Sequence, residues 1–190
     1  MHFDYYKIAI ELWLLLCAVW LYGLFTVKPV VRTQSPGSRI LELGLTLLAF
    51  SLVFTRYFRS GWRSWSFVPN SGITGAIGLL LVLAGIAFSI WARLYLGGNW
   101  SAAATVKQDH TLVCRGPYMI VRHPIYSGLL LALLGVAVIV GEVRCLLGVG
   151  VLFLSYWLKS RVEERFMLEQ FGAQYSRYQQ QVKALIPHVF

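Results

Sequence analysis

Two stretches of the chain, residues 97–124 and 159–190, hold nearly all of its chemically capable side chains. The first follows Leu96 with Gly-Gly-Asn-Trp-Ser, then runs from His110 to Tyr118, then reads Val121-Arg122-His123-Pro124-Ile-Tyr126-Ser-Gly128. Pro124 biases the residue before it away from helical geometry and is itself suited to a first helical turn. His123 therefore stands at the mouth of an apolar helix. An Arg and a His there, preceded by Gly116-Pro117 and followed by Tyr126, gather donors, an aromatic face and an open helix N-terminus. That combination suits a polar cofactor, whereas each residue taken singly would more often be a headgroup anchor in an interfacial loop.

The second stretch reads Arg161-Val-Glu163-Glu164-Arg165-Phe-Met-Leu-Glu169, then Phe171-Gly172, with Tyr175 and Tyr178 beyond. It continues the last apolar run as a helix, and Gly172 is a plausible C-cap. Arg161 lies one turn from Glu164 and Arg165, so a solvated face laced by ion pairs of about 0.2–0.5 kcal/mol each is the plain alternative. Position argues for more. Two adjacent carboxylates at the end of a membrane helix are costly near lipid unless they have partners or a role. The chain offers no Ser/His/Asp arrangement, no metal-ligand spacing and no phosphate loop. Cys17, Cys114 and Cys145 are scattered and read as incidental thiols.

The elements that must hold these residues are set by composition. The 190 residues are 57% hydrophobic and 13% charged, which is far from soluble composition. The mean hydropathy is +0.63. Five apolar runs stand out, at 8–27, 40–57, 73–91, 125–140 and 143–158, the last two short and separated by Gly141-Glu142 as in a tight hairpin. Gly75, Gly78 and Gly85 in the third suit close helix contact. No cleavable signal peptide and no internal repeat is evident, so residues 1–190 form one membrane domain. The expected fold is an all-α integral membrane protein of about five spans, with a cytoplasmic cofactor-binding loop and a helical C-terminal tail. Residues 27–39, with Pro29, Pro36 and Gly37, read as a plain loop.

Lys and Arg set the orientation. With the N-terminus outside, twelve lie on the inner side (Lys28, Arg32, Arg39, Arg93, Lys107, Arg115, Arg122, Lys159, Arg161, Arg165, Arg177, Lys183) and five outside (Lys7, Arg56, Arg59, Arg63, Arg144). The C-terminus is then cytoplasmic, in a bacterial inner membrane or the endoplasmic reticulum. Trp62, Trp65 and Phe67 beside the outer basic cluster read as an interfacial belt among membrane lipids. The formal charge of +9 is explained by these loops, and nucleic acid is not an expected partner.

The half of the chain from residue 96 to 190 resembles the isoprenylcysteine carboxyl methyltransferase family and its wider set of small membrane methyltransferases, which includes phospholipid methyltransferases. The resemblance rests on Leu-Gly-x-Asn-Trp-Ser, on the string from His110 through His123-Pro124-x-Tyr126-x-Gly128, and on Glu163-Glu164-x-x-x-Leu-x-x-Phe-Gly-x-x-Tyr-x-x-Tyr. It implies S-adenosylmethionine bound at the cytoplasmic membrane face without a Rossmann fold. His110, Leu112, Val113, Gly116, Tyr118, His123, Pro124 and Tyr126 would line the cofactor, with Arg122 beside them and Glu163 and Glu164 closing the site. The family usually carries a basic residue ahead of the acidic pair. Lys159 and Arg161 both stand there, and Arg161 is the one assigned, with Glu164, to the catalytic step. The acceptor would be a lipophilic small molecule or lipid: an isoprenylcysteine carboxylate, a phospholipid amine or a small thiol. A sterol-type reductase using NADPH and a silent binding module are the competing readings; shortness argues against the first, and Arg122, His123, Glu163 and Glu164 together against the second.

Overall fold

The computed structural model describes residues 4–190 apart from 24, 26, 56–64, 101–104, 108–110, 188 and 190. Five long helices carry the chain back and forth: α1 (Tyr5–Gly23), α2 (Pro36–Phe54), α3 (Gly72–Leu96), α4 (Pro124–Val140) and α5 (Val143–Phe171). A short α6 (Ala173–Gln181) follows, and 3-10 turns stand at Gly97–Asn99 and Gly116–Met119. Four helices, α1, α2, α3 with its 3-10 extension, and α5, are long and apolar enough to cross a membrane; α4, of 17 residues, is shorter. The apolar side chains of Leu47, Ile73, Leu80 and Leu94 are exposed on the bundle surface, as lipid contact requires. The chain is a multi-pass membrane protein of nearly all-helical build.

Hydrogen bonds sort the connections into two ends. At one, Lys28 N donates to Gly98 O at 3.0 Å and Arg93 Nη2 to Gly23 O at 2.8 Å. At the other, Phe67 N donates to Gly141 O and Val143 N to Trp65 O, both at 2.9 Å. Arg144 there donates to the carbonyls of Leu52, Val53 and Thr55, closing the C-terminus of α2, and its Nε bonds Glu142 Oε2 at 2.6 Å. The α4–α5 turn therefore reaches as far as the α2–α3 connection. Gly141 makes that turn at φ 74°, where a side chain would be strained.

Packing between α3 and α4 depends on close backbone approach. A Cβ on Gly85 would strike Gly128 O and the backbone of Ala132; one on Gly78 would strike Gly135 O, and the reverse holds for Gly128 and Gly135. The seven-residue spacing puts both glycines of each helix on one face. Between α2 and α5, Lys159 Nζ bonds Glu42 Oε1 at 2.7 Å and Thr46 Oγ1 lies 3.2 Å from Ser155 Oγ. A lone charge on either helix would be far more costly in an apolar bundle than this pair.

Several expectations are revised. The 27–39 stretch is not a plain loop: Val30–Thr33 forms β1, antiparallel to β2 (Thr105–Lys107), with Val30 opposite Lys107 and Thr33 opposite Thr105. The β-branched run Val30-Val31-Arg-Thr favours this ribbon. Helix α2 starts earlier than residue 40, because Ser35 caps it and Pro36 opens it. Helix α3 continues past residue 91 to Leu96. Helix α5, as expected, carries the 143–158 run on unbroken to Phe171, where Gly172 ends it. Among the described residues no disulfide forms; Cys145 is buried and Cys17 exposed. Trp62 and the Arg56, Arg59 and Arg63 cluster lie outside the described residues.

Candidate functional site

His123 caps α4 with non-helical φ −123° and ψ 63°, and Pro124 takes the first helical position. The turn before it is fixed from behind by the chain's last residues. Arg122 N donates to Lys183 O at 2.8 Å, His123 N to Ala184 O at 3.0 Å and Ser127 Oγ to Leu185 O at 2.5 Å. Tyr178 OH donates to Tyr118 O at 2.5 Å, tying α6 to the 3-10 turn. The backbone that carries Arg122 and His123 is thus pinned on two sides.

Glu163 and Glu164 face this turn from α5. The part of α5 before Glu163 is about 30 Å long, so the pair stands at the membrane edge, beyond the spanning part. Arg122 donates to Glu164 Oε1 from Nε at 2.8 Å and from Nη2 at 2.6 Å; its Nη1 serves the carbonyls of Gln179 and Val182. Gln179 Nε2 donates to Glu164 Oε2 at 3.1 Å. His123 bridges the two carboxylates, with Nε2 3.2 Å from Glu164 Oε1 and Nδ1 3.4 Å from Glu163 Oε2. Tyr126 OH donates to Glu163 Oε1 at 2.6 Å, and its ring lies between those of His123 and Tyr156.

These contacts set the protonation states. Burial pushes the Glu164 carboxyl up, but hydrogen bonds and charge from His123 and Arg122 outweigh it and hold the group down at about 2. Glu163 is also lowered: burial raises it, and the His123 hydrogen bond, the Lys159 charge and Tyr126 overcome that. For His123 burial lowers the pKa, yet the two carboxylates raise it overall. The site holds two carboxylates and an imidazole biased toward its cation.

A cavity of about 800 Å³, part of it open to the outside, adjoins this cluster. Its polar wall is Asn99, Thr111, Arg122, His123 and Glu163; its aromatic wall is Trp100, Tyr118, Tyr126, Tyr175 and Tyr178; Leu96, Leu112, Val113, Pro124, Ile125 and Met167 complete it. The Asn99 side-chain oxygen is buried with no donor among the described residues, and so offers an acceptor to whatever fills the space. The residues expected from the sequence divide accordingly. Leu112, Val113, Tyr118, Arg122, His123, Pro124, Tyr126 and Glu163 line the cavity. Glu164 sits behind it as the anchor of Arg122, and Gly116 is packed against Tyr95 outside the lining. His110 lies outside the described residues.

Arg161 is not brought to the cavity. It is exposed, because it lies about 200° around the helix from Lys159 and Glu163 faces inward. The inward basic residue is Lys159, buried on Glu42, with its Nζ 5.4 Å from the centre of the Tyr126 ring. Lys159, Glu163, Phe166 and Met167 share one helical face, a spacing legible in sequence that distinguishes the two basic residues. The lining roles of Asn99, Thr111, Leu96, Ile125, Tyr175 and Tyr178 were not expected.

A family model described as phospholipid methyltransferase matches residues 73–174, more than half of the chain. The protein-S-isoprenylcysteine O-methyltransferase of Xenopus laevis is 30% identical over 175 residues, covering 87% of this chain and 61% of that protein. A cobalt-zinc-cadmium resistance protein, CzcN, of Cupriavidus metallidurans is 26% identical over 144 residues, covering 75% of this chain and 61% of that one. The chain thus spans about three fifths of the length of these relatives. A solved eukaryotic intramembrane Ras methyltransferase, isoprenylcysteine carboxyl methyltransferase, superposes with a TM-score of 0.53 at 27% identity, covering 84% of this chain and 55% of that one. The family match runs from the start of α3 to the start of α6 and takes in every cavity-lining residue except Tyr175 and Tyr178. By that match the chain belongs to the phospholipid methyltransferase family.

Proposed function

We propose that the chain is an S-adenosylmethionine-dependent methyltransferase that acts on a lipophilic acceptor bearing a carboxylate, of the isoprenylcysteine type. The observation that carries the reading is the cavity at one end of the bundle, walled by the Arg122-His123 turn, Glu163 and five aromatic rings. Its polar groups fit the cofactor: Glu163, the more exposed of the two carboxylates at 21% of its side chain, can accept from an amino group or a ribose hydroxyl. Asn99 offers an acceptor with no donor among the described residues, and the Trp100 and Tyr118 rings line the space in which a cation would be attracted. The isoprenylcysteine methyltransferases among the relatives favour the isoprenylcysteine acceptor over a phospholipid amine.

S-adenosylmethionine supplies an electrophilic methyl group on a sulfonium that is already a leaving group. The chain therefore needs to align and desolvate rather than to act as a strong base. Glu164 holds Arg122, and Arg122 and the 182–185 carbonyls hold the turn, so Glu163 and Tyr126 meet the cavity in fixed positions. A carboxylate acceptor is anionic at neutral pH and requires no general base. The twelve-to-five distribution of Lys and Arg supports a cytoplasmic location for the cavity and an outside N-terminus.

The test is a titration of the purified protein in detergent with S-adenosylmethionine and with NADPH, followed by transfer of a labelled methyl group to an S-prenylcysteine. Saturable binding of the first alone, with label in an alkali-labile ester, is expected. Binding of NADPH alone would overturn the methyltransferase reading in favour of reduction.

A further inference from the structure

Arg93, near the end of α3, is 4% exposed and has no acidic partner among the described residues. It is unlike the other inward-facing cations among the described residues: buried Lys159 is neutralised by Glu42, buried Arg144 by Glu142 and half-buried Arg122 by Glu164. Among the described residues its guanidinium donates to neutral carbonyls alone, from Nη1 to Gly97 O at 2.9 Å and from Nη2 to Gly23 O at 2.8 Å. Its Nε–H is buried with no acceptor among those residues. A cation withdrawn from water without a counter-ion is among the costliest arrangements a fold can hold. Helix C-termini offset part of that cost, since both carbonyls lie where α1 and α3 end.

The unspent charge lies against the cavity wall. Its Cζ stands 4.4 Å over the ring of Trp100, and Trp100 lines the cavity. Trp100 packs in turn with Ala92, Tyr118 and Ile125, with Trp20 of α1 edge-on at 6.3 Å. Arg122, the other guanidinium beside the cavity, is already committed to Glu164 and two carbonyls. Lys159 is committed to Glu42.

We propose that Arg93 is the counter-charge that selects an anionic acceptor, acting on the acceptor's carboxylate through the Trp100 wall in a low-dielectric setting. It is a specificity-determining residue, and it requires no proton transfer or covalent step. The inference rests on the acceptor class proposed above and deepens it. A carboxylate entering the cavity meets an uncompensated positive charge, whereas its methyl ester, the product, does not. Preference for acid over ester favours binding of substrate and release of product.

The experiment uses the full chain in detergent and measures dissociation constants for an S-farnesyl thioether acid and for its methyl ester, in wild type, Arg93→Gln and Arg93→Lys. Wild type is expected to favour the acid by on the order of tenfold or more. Arg93→Gln should erase that preference while leaving ester and S-adenosylmethionine affinities within about twofold, and Arg93→Lys should retain it. A residue that merely staples α1 to α3 behaves differently, because neither Gln nor Lys reproduces the two-carbonyl fork and both would weaken acid and ester alike. That pattern, an undiminished acid preference in Arg93→Gln, or no preference in wild type would each overturn the proposal. Should Arg93→Gln fail to fold, Arg93→Lys decides by absolute affinities: acid and ester both within about twofold of wild type support the proposal, and equal weakening of both overturns it. Failure of the methyltransferase reading is registered separately, as absence of label transfer from S-adenosylmethionine in wild type.

Discussion

Glu163 and Glu164 are adjacent in sequence but meet different surroundings, and their substitutions should separate. Glu164 is bonded by Arg122, His123 and Gln179, so Glu164→Gln leaves a largely buried guanidinium without its counter-ion. Breaking such a pair costs about 3–5 kcal/mol, and a lower Tm in detergent is expected even without ligand. Glu163 lines the cavity and keeps capacity to accept; Glu163→Gln should weaken S-adenosylmethionine binding by about 1.5–3 kcal/mol, with a smaller change in Tm. Calorimetry on both variants checks the contrast. The pH dependence follows from the same contacts. Glu164, lowered from 4.5 to about 2, contributes stability that is present above 4.5 and is lost as pH falls through about 2. His123, raised above 6.5, contributes stability that is complete below 6.5 and is lost as pH rises through its folded value. Tm against pH should therefore peak between about 4.5 and 6.5, and His123→Gln should flatten the fall on the alkaline side.

Among the elements, α3 and α4 form the tightest joint, and its glycines make a direct test. Gly85→Ala puts a methyl group onto Gly128 O and the Ala132 backbone, neither of which can yield without parting the helices. A loss of about 1–3 kcal/mol is expected. Gly150→Ala in α5 meets nothing within 4 Å and should gain about 0.5–1 kcal/mol from helix propensity alone. Denaturant titration in detergent of the two variants measures the difference. The same joint shows what could be read in advance. Length and apolar runs reveal the helices, Pro124 reveals where α4 starts, and Gly78 and Gly85 reveal a close face. The partner face, Gly128 and Gly135, has the same spacing but becomes meaningful only once α4 is known to lie against α3. Helix α5 was legible both in its apolar stretch and in its continuation to Phe171, because the charged run after residue 158 keeps a helical pattern and Gly172 supplies the stop. The choice of Arg161 over Lys159 neglected helical phase, and Glu42, which identifies Lys159 as inward, is 117 residues away in sequence. The β1–β2 ribbon joins residues more than seventy positions apart, beyond the reach of local propensity.

At the scale of the whole molecule, the hydrogen bonds of Phe67 to Gly141 and Val143 to Trp65 bring the α4–α5 turn to the end where α2 stops. Which side of the membrane faces the cavity is the question for a cellular measurement. Glu142 is a poor place for a probe, since it is 6% exposed and bonded to Arg144, so a cysteine there would be shielded and would free a buried cation. Asn70, exposed in the α2–α3 connection, and Gln174, exposed on α6 near the cavity, report the two ends without disturbing either. In a background with Cys17, Cys114 and Cys145 replaced, Asn70→Cys should react with a membrane-impermeant maleimide in intact cells, and Gln174→Cys only after permeabilisation. Three helices, α3, α4 and α5, separate the two positions, so labelling of both from one side would contradict an odd number of crossings. The reverse pattern would invert the chain and move the cavity away from the compartment in which S-adenosylmethionine is made. A methyltransferase cannot be fed from there, so this one measurement bears on the proposed function as directly as any binding assay.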